Sequence, residues 1–127
     1  MKKVIMFSKK QGVSYGEELF DLDSTTLTGA TKVGETVVLS SCPNSTIFVN
    51  SVLTIDTAKT YKVSFTVSSR TEGGIYVLRP YDYLAGKADA NGDFSYELVG
   101  DLGYGLMLRA SGTTSLTVSN ISVKEVL

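Results

Sequence analysis

Across 127 residues, 43% are hydrophobic, and twelve basic against thirteen acidic side chains leave a net charge of −1. That is enough apolar material for one domain with a core, which excludes a disordered tail, and there is no basic excess to hold a phosphate backbone, which argues against nucleic-acid binding. Histidine and tryptophan are absent, so no Ser-His-Asp or Cys-His pair, imidazole base, ordinary zinc site or Trp-built binding face can be assembled.

The chain opens MKKVIMFSKK, where Lys2, Lys3, Lys9 and Lys10 flank a four-residue apolar run. A secretory signal needs a run of roughly seven or more, and no stretch reaches the length of a membrane span. The expectation is a complete protein made in the cytoplasm, with a solvated basic arm over residues 1–17 and a folded body over 18–127. A short strand is expected near 19–22. Strand patterns then come at 35–41 (ETVVLSS) and 45–55 (STIFVNSVLTI). Cys42, the one cysteine, lies between these two without a His partner and reads as a small packed residue.

The clearest strand is 60–69, TYKVSFTVSS, in which Tyr61, Val63, Phe65 and Val67 alternate with Lys62, Ser64, Thr66 and Ser68. Such alternation puts one face in a core and one in water. Further strands are expected at 74–81 (GIYVLRPY), 93–99 (DFSYELV), 104–110 (YGLMLRA) and 114–126. Gly73-Gly74, Asn91-Gly92, Gly100, Gly103 and Ser111-Gly112 fall between these runs as turn residues. No window carries helical periodicity with caps. Short strands every eight to twelve residues indicate an antiparallel sandwich or barrel.

The last segment changes parity. Leu116 and Val118 alternate with polar neighbours, Ser119 and Asn120 intervene, and the apolar set resumes at Ile121 and Val123. One extra residue in a strand does this: a β-bulge bends the chain and changes the facing of the residues beyond it.

Three groups of side chains carry candidate chemistry. Asp89, Asn91 and Asp93 place oxygens at alternate positions, as calcium prefers, although an Asn-Gly turn flanked by acids gives the same pattern. Tyr76, Arg79, Tyr81 and Tyr83, with Tyr104, combine aromatic rings and a guanidinium suited to a sugar or a protein partner. Plain packing accounts for them as well, with Tyr76 and Leu78 inward and Val77 and Arg79 outward. The carboxylates Asp82, Asp89, Asp93, Glu97 and Asp101 lack an evident cleft for glycoside hydrolysis and read as solvated acids. Gly103 and Gly105 open no helix, so no phosphate loop is implied.

Three stretches carry a resemblance: Ile55-Asp56-Thr57-Ala58-Lys59-Thr60-Tyr61-Lys62-Val63-Ser64-Phe65, then Asn91-Gly92-Asp93-Phe94-Ser95, then the closing Val118-Ser119-Asn120-Ile121-Ser122-Val123-Lys124-Glu125-Val126. Over about residues 18–127 the chain resembles the carbohydrate-binding, galactose-binding-like jelly rolls frequent in bacteriophage virion proteins. The resemblance implies an all-β fold, an antiparallel jelly-roll β-sandwich of about eight strands behind a short N-terminal arm. It implies a non-enzymatic virion structural protein, a capsid decoration (cement) or small head or tail fibre protein. Its partners would be other virion proteins such as the major capsid protein and further copies of itself, a trimer among the options. The alternative it implies is a carbohydrate-binding module recognising glycans. Relatives often carry Trp platforms and a structural calcium; this chain has no Trp, and that calcium site does not map onto particular residues.

Overall fold

The computed structural model describes residues 14–53, 56, 58–78, 87–99 and 105–127. These form an all-β molecule of antiparallel strands: β1 (Thr26–Leu27), β2 (Thr31–Val33), β3 (Thr36–Cys42), β4 (Ile47–Val52), β5 (Thr60–Val77), β6 (Gly92–Val99) and β7 (Gly105–Glu125). Among the described residues all seven join in one sheet that curls almost into a barrel.

The organising feature is the ladder between β5 and β7, which runs from Tyr61↔Glu125 to Val77↔Leu108. On its other edge β7 takes successive partners. Residues 105–109 pair with β4, residues 114–118 pair with β3, and beyond them the segment 14–19 lies alongside. There Gly16 N–H donates to the Glu125 carbonyl and Leu19 N–H to the Val123 carbonyl, each at 2.9 Å. β1 and β2 extend the sheet from β4 and β3, and β6 pairs with the first half of β5.

Alternation explains what is inside. Tyr61, Val63, Phe65 and Val67 are buried from β5, Leu106, Leu108 and Ala110 from the first half of β7, and Leu116, Val118 and Val123 from the second half. They meet Val37 and Leu39 of β3 and Phe48 and Val49 of β4. Phe65 stacks on Phe94 of β6 at 6.0 Å between ring centroids, which adds an aromatic pair to the area buried.

The parity switch is a bulge. Ser64 faces Ser122 and Thr66 faces Ser119, so three steps on β7 oppose two on β5. Asn120 takes up the extra residue at φ 55°, a left-handed conformation that Asn tolerates better than most residues. Val118 and Val123 are consequently both at 0% exposure, one on each side of the switch.

Two expected turns are absent. The runs at 60–69 and 74–81 are joined through Gly73-Gly74 into β5, and those at 104–110 and 114–126 through Ser111-Gly112 into β7. The two joints lie opposite each other: the register shifts between Ser68 and Gly74, where Glu72 pairs with Ser115 and Gly74 with Ser111. Facing irregularities bend both strands without breaking the ladder. Residues 19–22, expected as a strand, instead give the edge contact from Leu19 and a 3₁₀ turn at Leu22–Ser24. Asp21 caps that turn by accepting from Asp23 N–H.

Candidate functional site

Of the tyrosine and arginine group, Tyr76 lies within the described residues, whereas Arg79, Tyr81, Tyr83 and Tyr104 lie outside them. Tyr76 is half-buried on the outer face of β5, opposite Arg109, which in turn lies opposite Ile47 of β4. The Arg109 guanidinium donates to Ser45 Oγ at 2.6 Å. The inward residues are Ile75 and Val77, 0% and 2% exposed, so the facing expected for Tyr76 and Val77 is reversed. The cause is physical: Ile75-Tyr76-Val77-Leu78 is apolar on both faces, and cross-strand pairing with Ala110 and Leu108 decides which pair enters the core. Leu78, read as inward, is buried.

The stretch containing Asp89, Asn91 and Asp93 clips the start of β6 to β5. Asn91 Oδ1 accepts the Arg70 backbone N–H at 3.0 Å, and Asp93 Oδ1 accepts the Thr66 hydroxyl at 2.6 Å. Just before them, Ala88 and Ile75 exchange a reciprocal pair of backbone hydrogen bonds at 2.9 and 3.0 Å. Two of the three oxygen donors weighed for calcium are thus engaged with β5. No group of three or more metal-ligating side chains gathers among the described residues. Glu97 is exposed and Leu98 beside it is buried, while Asp82 and Asp101 lie outside the described residues. So do Lys2, Lys3, Lys9 and Lys10.

Cys42 is 1% exposed. Burial pushes its thiol above the ordinary value, with a smaller opposing effect from the Thr46 hydrogen bond. It is packed in the core, as a small apolar residue would be.

Two features were not singled out from the sequence. The first is a shallow groove of about 400 Å³ over the outer face of β5 and β6, lined by Lys62, Ser64, Thr66, Asp93, Ser95 and Asn120. Beside it the Lys62 ammonium stands 5.0 Å from the centre of the Tyr15 ring. These residues were legible as the polar half of each alternation, but adjacency across three strands requires the register.

The second is Glu18. Its carboxylate accepts the Val123 N–H at 2.7 Å and the Ser122 hydroxyl at 2.5 Å, and also the Phe20 N–H at 3.1 Å. A charged acceptor serving backbone N–H groups makes a stronger bond than a neutral one. Glu18 therefore fastens the segment 14–19 to β7 just past the bulge. Tyr15 pairs with Val126, and Leu127 N–H donates to the Ser14 carbonyl at 2.9 Å. The first residues of the expected body and the last residues of the expected arm are held together along one edge.

Comparison of the chain with protein-family models, curated proteins and solved structures finds no match in any of the three.

Proposed function

We propose that this chain is a non-enzymatic structural component of a bacteriophage virion, a capsid decoration or small head or tail fibre protein. Its rigid β-body presents a lysine-bearing arm to neighbouring virion subunits. The observation that carries this reading is the anchoring of residues 14–19 along β7 by backbone hydrogen bonds and by Glu18. A segment fixed that way delivers the residues before it from a defined point at one end of the sheet, within reach of a neighbouring subunit.

We read the curled sheet as a jelly-roll sandwich. The facing bends near Gly73 and Gly112 divide the β5–β7 ladder into halves, β4 and β1 flanking one and β3, β2 and β6 the other. Bends of this kind let long strands cross from one layer of a sandwich to the next.

Co-sedimentation with phage heads assembled alongside it tests the function. The full chain is expected to travel with heads, and a chain lacking residues 1–13 but with an unchanged circular dichroism spectrum is expected to stay behind. Folded full-length protein that associates with no virion fraction would overturn the reading.

A second reading, a glycan-binding module, is favoured by the groove over β5 and β6, which sets hydroxyl, amide and carboxylate groups beside Phe65 and Phe94. Glycan-array binding that is lost on Tyr81→Ala or Ser64→Tyr would decide for it.

A further inference from the structure

We infer that the arm joins copies of this chain to one another, residues 2–10 of one copy adding as a strand to the outer edge of β6 in a second copy. The inference deepens the reading of the arm as an assembly element and rests on it. β6 pairs with β5 along its whole length, from Thr60↔Val99 to Val67↔Gly92, and no backbone bond from a described residue reaches its other edge. That edge is eight residues long and lacks the lysines and prolines by which proteins usually blunt an exposed strand. Phe94 and Tyr96, on its core-facing side, are only half-buried, so another strand laid beside β6 would finish covering them.

Charge selects the occupant. Asp93 and Glu97 are both exposed on the outer side of β6. Two β6 strands pairing antiparallel about Ser95 would set Asp93 opposite Glu97, and like charges directly opposite destabilise a ladder. The segment KKVIMFSKK has the complementary character: an apolar centre, Val4-Ile5-Met6-Phe7, between two pairs of lysines.

Topology decides between the same copy and another. Residues 15–19 run antiparallel to β7, β7 antiparallel to β5, and β5 antiparallel to β6. Val126, Thr60 and Val99 stand abreast at the end where the arm departs. An arm that folded back onto β6 of its own copy would therefore run parallel to it. An arm from another copy is free to pair antiparallel, the slightly more stable arrangement. With residues 2–10 laid along the second copy, residues 11–13 bridge the join, about 10 Å at roughly 3.3 Å each, so the two copies must sit edge to edge.

The test uses the pure protein without virions, which separates its failure from that of the proposed virion role. Light scattering of the full chain at micromolar concentration should give a multiple of the monomer mass, with the β6 amides that point away from β5 protected from exchange. Deleting residues 1–13 should give monomer, and Glu97→Lys or the pair Lys2→Glu and Lys3→Glu, which antiparallel pairing sets at the Glu97 end of β6, should each weaken assembly roughly tenfold. The combined charge exchange should restore it. Three results would overturn the inference: a monomeric full chain, assembly that survives the deletion, or protection in a monomer of the β6 amides that point away from β5.

Discussion

Gly73 has φ 75°, and a Cβ built there would stand 2.5 Å from the Thr113 carbonyl oxygen and 2.6 Å from Thr114 Cα. Both neighbours belong to the β7 backbone, so neither yields as a flexible side chain would. Gly112, across the same bend, has an identical φ of 75° but nothing within 4 Å of its absent Cβ. The pair separates two effects that usually travel together. At Gly112, Ala meets only the conformational penalty of the left-handed region, about 1 kcal/mol. At Gly73 it adds a steric clash in a packed bend, so the loss should reach about 3 kcal/mol or more. Urea unfolding of Gly73→Ala and Gly112→Ala measures the difference; equal midpoints would show that the bend gives way. Thr114 reinforces the same joint from beneath. It is 0% exposed, and its hydroxyl lies within reach of the Gly112 carbonyl at 3.0 Å and the Gly74 carbonyl at 3.3 Å.

At the scale of an element, β7 is one strand with its facing reset at Asn120. Deleting that residue removes the bulge but leaves two steps on β7 opposite two on β5, so Ser122 stays opposite Ser64 and Val118 and Val123, then four positions apart, stay on the core face. What is lost is the local bend that the bulge gives the strand. The expected outcome is a chain that still unfolds cooperatively, at a lower midpoint, read by thermal circular dichroism. Asn120→Gly keeps the extra residue and the left-handed φ, and loses only the contact of Asn120 Nδ2 with Thr66 Oγ1 at 3.3 Å. Its midpoint should stay within a few degrees of the parent.

The parity of this segment was readable because each half alternates cleanly. The alternation of 60–67 and the start of β6 at Asn91-Gly92 were readable for the same reason. The joints were not. Gly73-Gly74 and Ser111-Gly112 have turn chemistry, and a turn and a bulge call for the same residues; only the cross-strand partner distinguishes them. The run at 75–78 lacked any period, so its facing awaited β7. Glu18 carried no signal at all, since an acid before Leu19 and Phe20 reads as a solvated position until the β7 edge is known. The groove over β5 and β6 was hidden likewise, its polar lining coming from three strands up to 58 positions apart in sequence.

For the whole molecule, one strand holds the sheet together. β7 meets β4, then β3, then residues 14–19 on one edge and β5 along the other. β1 and β2, by contrast, have two and three residues and pair only with β4 and β3 among the described strands. The outer strands can therefore open while the core stays closed, whereas separating β5 from β7 exposes Val63, Val67, Leu108 and Val118 together. Amide hydrogen exchange reads this hierarchy directly. Amides of β1 and β2 should exchange at least a hundredfold faster than those paired between β5 and β7. The latter should exchange only through global opening, with a free energy equal to that of urea unfolding, in the range of about 5–15 kcal/mol. The decisive comparison is within β7 itself. If the bends near Gly73 and Gly112 are joints in a continuous ladder, residues 105–110 and 114–125 will share one opening free energy. Two separate values, differing by more than about 1 kcal/mol, would mean that the bend divides the sheet into two cooperative units and that β7 connects them without coupling them.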